Sequence, residues 1–204
     1  MRDPDNIQEL VALSPDFIGF IFFEKSKRYV SQFDTLSVEG IPTHVKKVGV
    51  FVNENYDVIR DLVTYYKLDY VQLHGDESPE LCDHLKRAGV GVIKVFSVGD
   101  TFDFGQLKPY KAVVDYFLFD TKGKERGGNG VTFDWKTLEN YDNEIPFFIS
   151  GGLSPENLGE LSGLKNMNLA AVDLNSCFEV EPGLKNIDML RSLNFDQLRH
   201  KLAD

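Results

Sequence analysis

Alternating apolar strands and amphipathic helices predict an α/β fold with one parallel sheet, and two loops late in the chain predict that this sheet is a (β/α)8 barrel. The first loop follows residues 146–149, a short apolar run that reads as a fully buried strand. Ser150, Gly151 and Gly152 end it, and Ser154 and Pro155 have the residue types of an N-cap and a first helical position. Glycines let the backbone approach a ligand closely, and N–H groups at a helix start favour an anion. The second loop ends a strand reading Leu169-Ala170-Ala171-Val172 and continues Asp173-Leu174-Asn175-Ser176. An isolated Gly-Gly is more often a plain turn. Two successive strand-end loops of this kind, near the end of a strand–helix repeat, match the phosphate site of such barrels.

Each element has its own signal. Residues 4–13 read as a helix with Asp3 as N-cap, Pro4 at the first position and Ile7, Leu10 and Val11 as the buried stripe. Residues 16–23 are nearly all apolar, which predicts a strand buried on both faces. A short helix is expected within 31–39, a strand over 46–53, and a helix over 56–67 with Ile59, Leu62, Val63 and Tyr66 on one face. A strand at 70–75 runs into a turn, and Ser78-Pro79 opens a helix that ends near Gly89. Strands follow at 91–97 and 116–121, with a weaker helix over 103–110 between them and a polar, Gly-rich loop over 122–131 after them. Helices over 134–141, 155–162 and 184–202 complete the chain. The reading gives about seven strands, one fewer than a closed barrel needs. The missing strand is expected ahead of Met1, which leaves the strands from Asp16 and Leu169 each without a neighbour.

The 204 residues form one domain without an internal linker, long enough to bury a substantial core. A net charge of −10 argues against nucleic-acid binding, which needs basic stripes, and favours a cytoplasmic protein. No apolar run approaches membrane-spanning length, and the polar start has no signal-peptide core. Two cysteines, Cys82 and Cys177, make neither a disulfide framework nor a zinc site, and no His–carboxylate spacing suggests a metal. The sequence leaves a homo-oligomer open.

In a barrel of this kind the active site lies at the carboxyl ends of the strands. Those ends supply 24–28, Asn53, His74 to Asp76, Ser97, Asp120, Gly151 and Gly152, and Asp173 to Cys177. Asp120 ends an apolar strand, and a carboxylate at the mouth of a dry barrel tends toward a raised pKa, which suits a general acid. The plainer alternative is a cap on the next loop. Arg28 sits among Lys25, Ser26 and Lys27, so it is either a carboxylate clamp or part of a solvated basic loop. His74 is either a ligand contact or bonded within its own turn; it and Asp173 are counted among the expected substrate contacts. Gly151, Gly152, Asn175, Ser176 and Cys177 are the expected phosphate contacts. Cys82 is expected to be a packed thiol.

Seven segments together resemble the phosphoribosylanthranilate isomerase family of tryptophan biosynthesis. They are Gly19-Phe20-Ile21-Phe22 with Lys25-Ser26-Lys27-Arg28-Tyr29, Val48 to Asn53, Val71-Gln72-Leu73-His74-Gly75, Phe119-Asp120-Thr121-Lys122, Gly127 to Gly130 with Thr132 to Trp135, Ser150-Gly151-Gly152-Leu153, and Val172 to Ser176 with Glu179, Pro182-Gly183 and Lys185. The resemblance implies an Amadori rearrangement of N-(5-phosphoribosyl)anthranilate, a small phosphosugar substrate, without a cofactor. By motif match Asp120 is the general acid, Arg28 holds the anthranilate carboxylate, and the turns at 151–152 and 175–177 bind phosphate.

The chain departs from the family in two places. Asn175-Ser176-Cys177-Phe178-Glu179 stands where the family has Ser-Ser-Gly-Val-Glu, which removes backbone freedom beside the phosphate. The family's general base is a Cys in a Lys-x-Cys-Gly segment on the first strand. These 204 residues do not contain that segment, so by themselves they are expected to lack turnover. A non-catalytic phosphosugar-binding barrel is the alternative reading. A metal-dependent phosphosugar epimerase is a third, and it lacks a suitable set of histidines.

Overall fold

The computed structural model describes residues 1–31, 38–99, 101–121, 135–193 and 195. Seven strands form one all-parallel sheet in sequence order. They are β1 (Phe17–Ile21), β2 (Lys46–Phe51), β3 (Tyr70–Leu73), β4 (Gly91–Val98), β5 (Tyr116–Thr121), β6 (Phe147–Ser150) and β7 (Leu169–Val172). Helices α1 (Pro4–Val11), α2 (Tyr56–Tyr66), α3 (Pro79–Arg87) and α4 (Ile187–Ser192) pack against it, with 3-10 segments in the connections β4–β5, β5–β6 and β6–β7. Among the described residues no strand joins β7 to β1, so the fold is a (β/α)8-type barrel lacking one strand.

Two of the predicted helix starts are formed by the predicted caps. Asp3 Oδ1 accepts from Asn6 N at 2.8 Å to open α1, and Ser78 Oγ accepts from Leu81 N at 3.4 Å to open α3. α2 ends where Lys67 turns left-handed at φ 50°.

Because strand side chains alternate faces, two cores form. Ile18, Phe20, Phe51, Leu73, Phe117, Phe119 and Ile149 pack outward with helix residues such as Ile7, Ile59 and Leu85. Inside lie Val48, Ile93, Val95, Leu118 and Phe148, floored by Phe17, Tyr70 and Tyr116. Phe17 meets Phe148 at 4.8 Å and Tyr70 at 5.7 Å between ring centroids. Register then fixes where polarity begins. Val95, Leu118 and Phe148 lie side by side, and two residues further along the same strands Ser97, Asp120 and Ser150 do the same. The polar layer therefore sits directly above the apolar one, at the strand carboxyl ends.

The outer edge of β1 is partly covered. Met1 N donates to Gly19 O at 2.8 Å, and Val30 N donates to Ile21 O at 2.9 Å, where Tyr29 forms a parallel bridge. Strand β1 is not buried on both faces as expected. Ile18 and Phe20 are buried toward the helices, while Gly19 is exposed on the inner face. No described strand lies beside it there to supply cover.

Three other expectations need correction. No α-helix starts at Pro155. A 3-10 helix spans Leu158–Leu164 instead, and Ser154 is tied into the preceding turn, where its N–H donates to Asn157 Oδ1 at 2.8 Å. Leu158, Leu161 and Leu164 are all buried at a spacing of three, the period at which 3-10 side chains line up, and Gly159 and Gly163 weaken an α-helix. The segments over 103–110 and 134–141 are likewise 3-10, at Phe104–Tyr110 and Trp135–Asn140, the first with Pro109 inside it. No helix starts at Leu184. Residues β8 (Glu179–Glu181) and β9 (Leu184–Lys185) make a hairpin around Pro182-Gly183, and only then does Asn186 cap α4. Asn6 clips this hairpin to α1 through two hydrogen bonds: its Nδ2 donates to Lys185 O at 2.9 Å and its Oδ1 accepts from Lys185 N at 2.7 Å. The expected loop over 122–131 lies outside the described residues, as do most of the expected helix within 31–39 and the chain beyond Phe195.

Candidate active site

At the barrel mouth β5 presents Asp120. Its Oδ1 accepts from Ser150 Oγ of β6 at 3.0 Å. Its Oδ2 lies 3.6 Å from His74 Nε2, just past β3. Gln72 Nε2 lies 3.3 Å from His74 Nδ1, and with the amide donating there the ring proton sits on Nε2, toward Asp120. Three strands thus aim a carboxylate, an imidazole and a hydroxyl at one place.

The loop that carries His74 is fixed from below. Glu77 accepts from Asn53 N at 2.8 Å and from Gly75 N at 2.9 Å, and Lys94 Nζ donates to it at 3.1 Å. Asn53, at φ 52°, accepts through its Oδ1 from Asp76 N at 2.7 Å. The β2 and β3 loops touch so closely that a Cβ on Gly75 would lie 2.3 Å from Asn53 Oδ1 and 2.8 Å from its backbone nitrogen. Gly75 is required by that contact.

On the other side of the mouth are the two late turns. Gly151 and Gly152 both have positive φ, 91° and 67°, a backbone that other residues rarely adopt. Nothing lies within 4 Å of a Cβ built on Gly152, so conformation rather than crowding calls for glycine there. Asn157 Nδ2 closes the turn on Gly152 O at 2.9 Å. The second turn is a 3-10 segment, Ser176–Phe178, anchored by buried Phe178. Cys177 is exposed in it and is not among the residues with positive φ, so the turn as formed does not need the family's glycine.

Arg28 reaches this region from the loop after β1. It makes a forked contact with Glu179, Nε to Oε2 at 2.8 Å and Nη2 to Oε2 at 2.6 Å. Burial alone would raise the Glu179 carboxyl. The Arg28 hydrogen bonds and the Lys185 charge outweigh it and hold the group below its usual range. Lys185 is in turn lowered by burial, against the pull of Glu179 and Asp173. Its Nζ donates to Leu174 O and Asn175 Oδ1, both at 3.0 Å. Asp173, half-buried, is pushed up by burial, opposed by Lys185 and reinforced by Asp120.

The sequence-predicted residues therefore gather at one mouth: Asp120 with His74, the 175–177 turn joined to Arg28 through Lys185 and Glu179, and Asp173 between them, within the field of Lys185, Asp120 and His74. Gly151 and Gly152 directly follow Ser150, which bonds Asp120. Neither cysteine joins Asp120 and His74. Cys82 is fully buried on α3, where desolvation pushes its thiol up to about 11. Sequence reasoning assigned no role to Glu77, Lys94, Glu179 or Lys185. Glu179 and Lys185 were visible only as members of a motif, and Glu77 and Lys94 carried no signal at all. Among the described residues no three His, Cys, Asp or Glu side chains gather as metal ligands.

The sequence model of the N-(5'-phosphoribosyl)anthranilate (PRA) isomerase family matches residues 1–195. The chain belongs to the phosphoribosylanthranilate isomerase family. The N-(5'-phosphoribosyl)anthranilate isomerase of Parabacteroides distasonis is 45% identical over 206 positions, spanning 100% of this chain and 93% of that one. That of Phocaeicola vulgatus is 43% identical, spanning 99% and 96%. Among solved structures, the isomerase of Thermotoga maritima superposes with a TM-score of 0.79 at 34% identity, covering 100% of this chain and 95% of that one. A family structure in complex with reduced 1-(o-carboxyphenylamino)-1-deoxyribulose 5-phosphate gives 0.78 at 32% identity, covering 94% and 91%.

Proposed function

We propose that the protein converts N-(5-phosphoribosyl)anthranilate into 1-(2-carboxyphenylamino)-1-deoxyribulose 5-phosphate in tryptophan biosynthesis, without a cofactor. Family membership supports the reaction. The observation that carries the site assignment is Asp120, held by Ser150 and facing His74 in the polar layer above the barrel core.

In this reading Asp120 gives its proton to the ribose ring oxygen. The C1′–O bond breaks and leaves an iminium at C1′. Loss of the C2′ proton then yields an enolamine, which becomes the ketone. The Asp120 carboxylate formed in the first step stays bonded to Ser150 and beside the His74 ring N–H, which stabilises the charge where it develops. The turns at Gly151-Gly152 and Asn175-Ser176-Cys177 hold phosphate through backbone N–H groups. Arg28 takes the anthranilate carboxylate, and His74 and Asp173 line the sugar. The resemblance gives the C2′ proton to a cysteine on a Lys-x-Cys-Gly strand. Buried Cys82 and phosphate-side Cys177 are poor substitutes, so turnover is to be measured on a form that carries that strand.

The relevant compartment is the cytoplasm. Self-association is the matching expectation for assembly, since the Thermotoga maritima isomerase is a dimer for which monomers have also been solved; light scattering reads it. The experiment for the activity is an isomerase assay with purified protein. Conversion of the substrate supports the reading. Tight binding of the phosphosugar with no conversion, in a form that carries the cysteine strand, favours the non-catalytic barrel.

A further inference from the structure

We propose that Glu179 is a positioning residue for Arg28: it grips one edge of the guanidinium and leaves the other edge turned out for the substrate carboxylate. This rests on the reading of Arg28 given above. A guanidinium carries five N–H donors and can meet a carboxylate along either of two edges. Glu179 occupies the edge formed by Nε and Nη2, through contacts of 3.0, 2.8 and 2.6 Å. The edge formed by Nη1 and the second Nη2 hydrogen remains.

The Glu179 side chain is itself buried, 4% exposed, and bonded on its other side. Gly183 N donates to its Oε1 at 3.3 Å from within the same hairpin, and Lys185 Nζ lies 3.4 Å from that oxygen. Lys185 also grips Leu174 O and Asn175 Oδ1, so one chain of contacts runs from Arg28 to the phosphate turn. The hairpin is held in place by the Asn6–Lys185 pair. Arg28 by contrast comes from the loop after β1, where Ser26 Oγ accepts from Arg28 N at 3.1 Å and Lys27 O accepts from Arg2 Nη1 at 3.4 Å. A long side chain on such a loop binds better when a fixed carboxylate has already ordered it. Two buried charges are also tolerated better when each satisfies the other. That explains why a carboxylate sits within reach of an arginine meant for a carboxylate ligand. It uses a different edge and does not compete.

The test uses two ligands and inorganic phosphate. The first ligand is reduced 1-(o-carboxyphenylamino)-1-deoxyribulose 5-phosphate. The second is the same compound made from aniline, which lacks the carboxylate. Glu179→Gln keeps the shape and removes the charge. It is expected to weaken the carboxylate ligand about tenfold, the equivalent of ordering one long side chain on binding. The aniline ligand and phosphate should bind as before, and the thermal midpoint should show a folded protein. Arg28→Ala should show the same selectivity, and the double variant should add little to it. Unchanged or tighter binding of the carboxylate ligand by Glu179→Gln overturns the proposal, the latter by making Glu179 a competitor. Equal weakening of all three ligands, or failure of both Glu179→Gln and Glu179→Asp to fold, also overturns it by placing Glu179 in the scaffold. Arg28→Ala without selectivity sinks the reading of Arg28 itself, whereas a selective Arg28→Ala beside a silent Glu179→Gln sinks only the positioning role.

Discussion

Lys94 Nζ stands 3.1 Å from Glu77 Oε2, and the two side chains are 2% and 1% exposed. The lysine also donates to Gly75 O at 2.7 Å and Leu73 O at 3.2 Å, while the glutamate accepts from the backbone of Asn53 and Gly75. A charge pair sealed this deeply holds the β2 and β3 loops together and sets the height of His74 beneath the mouth.

Lys94→Met leaves Glu77 buried without its cation. Removing one partner of a buried pair costs about 3–5 kcal/mol. Urea unfolding should show that loss. Replacing Glu77 by Leu as well should not restore stability, because the N–H groups of Asn53 and Gly75 would then lose their acceptor. Recovery in the double variant would show that the pair acts only through its charges.

Cys177 and Cys82 should differ sharply toward a thiol reagent. At pH 8 the folded protein should react quickly at one thiol, the exposed Cys177, while Cys82 stays silent behind its packing and raised pKa. Inorganic phosphate should slow the Cys177 reaction if that turn binds phosphate. Equal rates with and without phosphate would remove the 175–177 turn from the phosphate site.

Stability should fall on the alkaline side. Burial raises the Cys82 thiol from 9.0 to about 11 and the Tyr70 and Tyr141 hydroxyls from 10.0 to about 12. Each group keeps its proton more tightly when folded, so its contribution is complete below the unfolded pKa and is lost as pH rises through the folded one. The thermal midpoint should therefore drop from about pH 9 upward and continue to drop toward pH 12. A Cys82→Val variant should lose less between pH 9 and 11. An identical pH profile for that variant would mean that folding does not raise the Cys82 pKa.

Much of the site was legible because a parallel barrel converts sequence position into height. An apolar run ending in one carboxylate places Asp120 at the mouth, and Gly151-Gly152 after a buried strand announces a turn that needs positive φ. Cap residues Asp3 and Ser78 fixed helix starts for local reasons. What stayed hidden depended on distant partners or on a change of period. The Arg28–Glu179 fork spans 151 positions, and no local pattern couples them. Leu158, Leu161 and Leu164 fit a helical stripe of either kind, so their pattern alone did not separate 3-10 from α. The second strand of the Pro182-Gly183 hairpin, Leu184–Lys185, lay inside a stretch that reads as helix because α4 directly follows it. Glu77 and Lys94 meet across 17 positions, and no local pattern couples them either.

The most direct test of the account is the turnover of Asp120→Asn, in a form of the protein that carries the family's cysteine strand. The substitution keeps the bond from Ser150 and removes the transferable proton. Turnover (kcat) should fall about 10²–10⁴-fold, the usual contribution of a general acid, with phosphate affinity unchanged. Wild-type turnover in that variant would contradict the account by removing Asp120 from the chemistry.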